Sequence, residues 1–233
     1  MKGIIFDKDG TLLKFESFWK PVTENAVAYI LKKKKAAAEL KDKMMEAVGA
    51  DSGIRGLICS GTYAQISEAF RKVLEECGAD ADGMEELTLE AFQRSIGSGR
   101  IVPACRDMDA VFDRLRKNGI RIFLVTTDCR EITESCLDEL KIRKYFDEIY
   151  TDDNGRHSKP DPYYIDVIVK KYGMDKEELV MVGDTATDME FARNGGIRAV
   201  GVAACEADRR VLEQYTDTVL DNIGLLPEIL ETA

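Results

Sequence analysis

Asp7 and Asp9 stand two residues apart, directly after the apolar run Gly3-Ile4-Ile5-Phe6 and just before Gly10-Thr11-Leu12. Carboxylates at the end of a buried strand repel each other and gain little from packing. They make sense when a cation and a phosphate sit between them. At the C-terminal edge of a parallel sheet, an Asp-x-Asp pair offers a nucleophile, an acid/base and metal ligands together. The plainer alternative is a turn after a strand, held by aspartate side chains, with Gly10 supplying unusual backbone angles.

Three later segments share the same design. Ile120-Arg121-Ile122-Phe123-Leu124-Val125 runs into Thr126-Thr127-Asp128. A threonine at a strand tip can donate its O–H to a phosphate oxygen without adding charge, although Thr127 or Asp128 could equally cap a helix starting near Arg130. Ser158-Lys159-Pro160-Asp161-Pro162 restrains one lysine between two prolines, which suits it to neutralising a phosphoryl group; the alternative is a solvated loop lysine. Leu179-Val180-Met181-Val182-Gly183 then ends in Asp184, with Asp188 four residues on. A helix beginning near Thr185 places Asp184 at its N-terminus and Asp188 about one turn inside, where the two acids could bind a divalent cation or serve the helix end. Capping explains any one of these segments. It is a poor explanation of all four in this order.

In order and spacing the four segments resemble the motifs of the haloacid dehalogenase superfamily, and the resemblance covers essentially the whole chain. It implies that Asp7 is the nucleophile and Asp9 the general acid/base, acting on a phosphomonoester through an aspartyl-phosphate. It implies that Thr126, Thr127 and Lys159 hold phosphoryl oxygens. Mg²⁺ would be bound by Asp7, Asp184 and the backbone carbonyl of Asp9, with Asp188 as a direct or water-mediated ligand. Members often carry Thr-Asn where this chain has Thr126-Thr127, so a hydroxyl replaces an amide. Many also carry an acid where this chain has Leu13-Lys14. The segment Gly53-Ile54-Arg55-Gly56-Leu57-Ile58 resembles the specificity loop of phosphoglycolate phosphatase-like members. There Arg55 would pair with a substrate carboxylate or second phosphate, unless it is a surface arginine.

Other chemistries occur on the same scaffold, and residues here separate them. Haloacid dehalogenases lack the second aspartate and the metal site, so Asp9 and Asp184 argue against that reaction. Phosphonoacetaldehyde hydrolases replace the second aspartate and use a lid lysine. A sugar-phosphate mutase of the β-phosphoglucomutase type keeps both aspartates but carries a lid histidine about a dozen residues on, a neighbourhood that Trp19 occupies here. Signalling receivers also use Asp, Thr and Lys, but take phosphate on a middle strand and lack an insertion after the first. A non-catalytic phosphometabolite-binding protein remains the alternative outside enzymology.

Composition narrows the partners. A net charge of −10 argues against nucleic acid and would repel anionic substrates at long range, so the site needs its own cation and lysine. No apolar run approaches bilayer length and no basic-plus-apolar leader precedes the first strand; the expectation is a cytoplasmic protein without membrane association. The expected partner is a small phosphorylated metabolite; oligomeric state is not readable. Six scattered cysteines lack a Cys-x-x-Cys pair and read as reduced, mostly buried thiols. Cys129 falls close to the second motif, where core packing is the expected role. His157 is the only histidine, which excludes histidine triads. The Lys32–Lys35 run reads as a solvated helix face.

The expected architecture is α/β, a doubly wound parallel-sheet, Rossmann-like core carrying an inserted α-helical cap domain. Residues 1–14 and 100–233 form the core and 15–99 the cap, with hinges near Lys14–Glu16 and Ser98–Pro103. Apolar periodicity predicts cap helices over Val22–Val48 as one helix or a broken pair, with Pro21 at the start, then over Thr62–Cys77 and Met84–Ile96. From residue 104 helices are expected near 104–118, 130–141, 161–172, 188–194 and 206–214. They alternate with strands near 120–126, 147–151, 179–183, 198–202 and 217–220, a pattern that implies right-handed crossovers. Closure of the cap would exclude water during the first chemical step and opening would admit it.

Overall fold

A computed structural model of the chain describes residues 1–52, 56–152 and 156–231. In chain order the elements are β1 (Gly3–Phe6), α1 (Phe15–Lys34), α2 (Leu40–Ala47), α3 (Leu57–Ser60), α4 (Tyr63–Glu76), α5 (Met84–Ser95) and α6 (Met108–Lys117). They continue with β2 (Arg121–Val125), α7 (Arg130–Glu139), β3 (Glu148–Tyr150), α8 (Tyr163–Tyr172), β4 (Leu179–Gly183) and α9 (Ala186–Gly195). The chain closes with β5 (Arg198–Val202), α10 (Glu206–Leu212), β6 (Val219–Leu220) and α11 (Leu226–Glu231). It divides into two compact units, Met1–Lys14 with Pro103–Ala233, and Phe15–Val102.

The first unit is an α/β fold. Its six strands pair in the order β3-β2-β1-β4-β5-β6, and every pairing is parallel. Parallel strands require crossovers, and the helices that make them cover both faces. Side-chain alternation shows this directly. Ile4 and Phe6 of β1, Ile122 and Leu124 of β2, and Val180 and Val182 of β4 enter one core with Val111, Phe112 and Leu115 of α6. Their neighbours Ile5, Phe123, Leu179 and Met181 enter the other, against Ile165 and Ile168 of α8 and Phe191 of α9. A strand buried on both faces has no polar side, which is why these segments read as unbroken apolar runs. The order reverses direction at β1 and β4, and it is beyond the carboxyl ends of strands at such a point that open α/β sheets bind ligands.

Where the chain leaves and re-enters this unit, Leu13 bridges Pro103 and the Ala104 N–H donates to the Leu12 carbonyl at 2.9 Å. The chain ends of the insertion point are thereby tied together within the unit.

The second unit is helical. α1, α2, α4 and α5 bury Trp19, Phe70 and Phe92, with the Phe92 ring 6.1 Å from Trp19 and 5.7 Å from Tyr63. Trp19 is therefore core of its own unit. The helix expected to begin at Pro21 instead begins six residues earlier, at Phe15, and Pro21 lies inside it. An interior proline leaves the carbonyl four residues back without its helical donor. That carbonyl, Ser17, accepts the Arg100 N–H at 3.0 Å, so the returning segment supplies what the proline removes. Of the two alternatives, one helix or a broken pair, the structure has the pair, with the break between Lys34 and Leu40. α4 starts on Thr62 through a reciprocal capping box with Gln65.

The cysteines depart from expectation. Of the six, only Cys136 is buried, while Cys77 and Cys205 are exposed. Helix periodicity places a residue on the inner face whatever its chemistry, and small thiols on outer faces leave no trace in composition. No helix among the described residues is long and apolar enough to cross a membrane.

Candidate active site

Asp7 follows β1 immediately, and its N–H still donates to the Val182 carbonyl of β4 at 2.9 Å. The central strand thus carries its ladder one residue further and presents the Asp7 side chain at the sheet's edge. β4 runs alongside in register, Phe6 opposite Val182, so Asp184 emerges beside Asp7. On the other flank Phe6 lies opposite Leu124, which brings Thr126 to the same edge. Strand register alone therefore gathers three of the four segments.

Oxygens of Asp7, Asp184 and Asp188 lie within 4.8 Å of one another, and all three residues are buried. The Lys159 ammonium, also buried, stands 2.5 Å from Asp7 Oδ1 and 2.5 Å from Asp188 Oδ1. Its loop is fixed by a turn from the Asp161 N–H to the Ser158 carbonyl (2.9 Å) and by Asn194 of α9 donating to the Pro160 carbonyl at 3.0 Å. The helix that carries Asp188 thus also anchors the loop that delivers Lys159.

Two glycines make room for the acids. Gly10 adopts φ +81°, and a Cβ there would fall on the Asp184 carboxylate. At Gly183 a Cβ would overlap the Asp188 side chain. Any larger residue at either position would push a carboxylate out of the cluster. α9 begins on Thr185, whose Oγ1 accepts the Asp188 N–H at 3.3 Å while Asp188 Oδ2 accepts the Thr185 N–H at 3.0 Å. Asp188 Oδ2 also accepts the Thr185 hydroxyl at 2.6 Å. Both oxygens of Asp188 are therefore engaged, one on the helix end and one on Lys159. Asp184 instead accepts the Thr11 hydroxyl at 3.2 Å.

Three acids against one ammonium leave surplus negative charge in a buried place. Burial pushes Asp7 up to about 7, with Asp188 and Asp9 adding to the rise and Lys159 opposing it. Asp184 is likewise held well above the usual carboxylate range, by burial first and then by Asp7 and Asp188. For Lys159 burial acts downward, but Asp188 and Asp7 outweigh it and keep the ammonium charged. A buried, all-oxygen cluster with this excess fits a hard divalent cation, which would remove the repulsion that lifts the acids.

Asp9 turns elsewhere. Its Oδ1 and Oδ2 lie 2.9 and 2.7 Å from the Lys8 ammonium, which also sits 3.0 Å from Asp128 Oδ2. Lys8 has no exposed surface and Asp128 is buried. From the sequence Lys8 carries no assigned role and Asp128 only that of a possible helix cap. The available signal was a lysine between two acids at the tip of a buried strand, and an acid two residues beyond Thr126. Thr126 Oγ1 accepts the Asp128 N–H at 3.2 Å, which leaves its own proton to donate, and Thr127 is half-buried. The residue that precedes α7 as its cap is Cys129, whose side chain makes no capping bond to the helix; Asp128 Oδ1 accepts the Cys129 N–H at 2.8 Å. His157 stacks on Tyr163 with ring centres 3.7 Å apart. Arg55 lies outside the described residues.

The doubly wound sheet that carries this cluster is shared with proteins of known structure. The family model for haloacid dehalogenase-like hydrolases matches residues 1–196, and the chain belongs to that family. Among curated relatives, a phosphoglycolate phosphatase of Pseudomonas fluorescens (strain Pf0-1) is 25% identical over 99% of this chain and 80% of its own length. A solved Haemophilus somnus chain that carries a phosphoglycolate phosphatase name superposes with TM-score 0.74 at 18% identity, covering 99% of this chain and 98% of that one. A Thermotoga maritima chain that carries a beta-phosphoglucomutase name superposes with TM-score 0.68 at 19% identity, over the full length of both. At such identities the superpositions establish the fold, which both names share.

Proposed function

We propose that the protein is a phosphatase that hydrolyses a small phosphomonoester through an aspartyl-phosphate on Asp7, with phosphoglycolate as the first substrate to test. The observation that carries this reading is the convergence of Asp7, Asp184, Asp188 and Lys159 beyond the ends of β1 and β4. A carboxylate attacks a phosphate dianion only when the charge between them is reduced, and this arrangement brings the means to reduce it to the nucleophile itself.

Mg²⁺ is the cation proposed, held by Asp7, Asp184 and the Asp9 backbone carbonyl; bound there, it would neutralise the anionic groups and orient the phosphoryl oxygens. Asp188, with both oxygens engaged, is assigned to holding Lys159 and to contact with the ion through water. An Asp7 oxygen bonds to phosphorus as the bond to the leaving oxygen breaks, and that oxygen takes a proton from the Asp9 carboxylic acid. Water then attacks phosphorus and gives its proton to the Asp9 carboxylate as the Asp7 O–P bond of the acyl phosphate breaks, which frees phosphate and returns the Asp7 carboxylate. Lys159 and the Thr126 hydroxyl donate to the phosphoryl oxygens throughout, with Thr127 at the rim. The Phe15–Val102 unit is assigned the part of a lid that selects the substrate and excludes water. The relationship to the Pseudomonas fluorescens phosphatase, which spans 99% of this chain and 80% of that one, supports phosphoglycolate.

Initial rates of phosphate release on phosphoglycolate, sugar phosphates, nucleoside monophosphates and pyrophosphate, with MgCl₂ and with chelator, test the reading. Release on at least one monoester, abolished by chelation, is expected. A sugar 1-phosphate converted to its isomer without free phosphate would overturn it in favour of a mutase, and silence across the panel would overturn catalysis altogether.

A further inference from the structure

Lys8 is the one residue between the two aspartates of the first motif, and its side chain is wholly buried. A buried ammonium is a poor way to fill space. Removing it from water costs several kcal/mol, and an apolar side chain of similar length would serve packing at least as well. Burial acts to lower its pKa, yet Asp9 and Asp128 outweigh that and keep it charged. The thiol of Cys136 beside it is pushed up to about 12, chiefly by burial, and stays neutral. Among the described residues the cluster is therefore one cation between two carboxylates.

The geometry joins two loops of the site. Lys8 reaches both oxygens of Asp9 (2.9 and 2.7 Å) and Oδ2 of Asp128 (3.0 Å). Asp128 in turn accepts the Cys129 N–H at 2.8 Å, and its own N–H rests on Thr126 Oγ1 at 3.2 Å. Its carbonyl accepts the Asp152 N–H at 3.0 Å, which ties the loop to the end of β3. Asp9 is thus oriented by a chain of buried polar contacts that ends on the threonine assigned to the phosphoryl group.

We propose that Lys8 is a positioning residue for the acid/base: anchored by Asp128, its ammonium sets the direction of the Asp9 carboxyl relative to the leaving oxygen. The proposal rests on the phosphatase reading above. Its signature is selective. An alkoxide must receive a proton as it departs, whereas a nitrophenolate leaves without one. Losing the orientation of Asp9 should therefore harm alkyl esters more than aryl esters. The effect should appear in kcat/KM, which reports the step that expels the leaving group.

The test compares kcat/KM for an alkyl phosphate and for 4-nitrophenyl phosphate in wild type, Lys8→Met and Lys8→Met/Asp128→Asn. The double variant removes one buried positive and one buried negative charge together, so the cluster keeps its net charge and the fold its balance. Both variants should lose about tenfold or more on the alkyl ester beyond their loss on the aryl ester, since a positioned general acid contributes at least that much. Lys8→Arg, which keeps a cation in reach of Asp9, should recover part of the difference. Equal losses on the two esters, or no loss, in the folded double variant would overturn the proposal while leaving the phosphatase standing. A wild type silent on both esters would overturn both readings together.

Discussion

Two buried lysines, Lys159 and Lys8, each bridge two aspartates at the same edge of one sheet, and the two clusters are built to different ends. Around Lys159 a third carboxylate, Asp184, joins the pair it bridges, and acid oxygens crowd within 4.8 Å. Burial and mutual repulsion lift Asp7 and Asp184, so this cluster is strained without a cation. Around Lys8 the ammonium meets both oxygens of Asp9 and one of Asp128, and Asp128's other oxygen takes a backbone N–H. One cluster is under-neutralised and poised to take in charge; the other is a fixture that holds a side chain in place. The lesson is that a buried lysine–carboxylate contact by itself says little about function. The count of acids around the cation, and whether their oxygens are already engaged, says more.

The sharpest way to break this distinction is Asp7→Asn. It keeps the shape of the first cluster and removes the nucleophile, so turnover should fall about a thousandfold or more and acid-stable phosphoenzyme should vanish. Phosphate release and trapping of labelled protein check it; full activity would remove the mechanism. Next in size is Lys8→Met, read by urea unfolding. Two buried carboxylates left without their cation should destabilise the fold by about 3–5 kcal/mol. A loss below about 1 kcal/mol would mean that the second cluster is not the fixture described. Asp184→Asn should do the opposite in metal-free protein. It relieves repulsion on Asp7, and the unfolding free energy should rise by on the order of 1 kcal/mol while stabilisation by Mg²⁺ disappears. A metal-free Asp184→Asn less stable than wild type would show that the first cluster is not strained.

The contrast between the clusters also explains what the sequence made legible. Both-face burial writes β1, β2 and β4 as apolar runs, and an acid or threonine at the end of each is visible because nothing in a strand end calls for it. β4 and β5 fall on the residues expected, and the parallel pairing of the strands follows from their alternation with helices. Lys8 was not legible, because a lysine is by default solvated and only the fold reveals that its position points inward. Asp128 looked like a helix cap for the same reason that any acid before a helix does. Pro21 was read by its usual place in a first turn; its interior position depends on the Arg100 N–H arriving from 79 residues away, a partner no local pattern announces. The two short helices α3 and α11 are too brief for a period to show.

The smallest expected effect separates the clusters by pH. Asp7 has a higher pKa folded, about 7, than the 3.8 of an unperturbed aspartate. The folded protein therefore holds a proton that the unfolded chain has lost, and the sign of linkage follows: between these values stability falls as pH rises. The contribution is complete below about 3.8 and is lost as pH passes through about 7; Asp184, raised in the same direction, adds to it. A cation that compensates the ionised acids should recover the loss, and only where they are ionised. The gain in Tm on adding MgCl₂ should therefore be larger at pH 8 than at pH 5, by about 2–4 °C for each kcal/mol recovered in a chain of this size. Asp184→Asn should flatten the difference, whereas Lys8→Met/Asp128→Asn, which alters only the Lys8 cluster, should preserve it. Equal gains at the two pH values in wild type would place the cation somewhere other than among Asp7, Asp184 and Asp188.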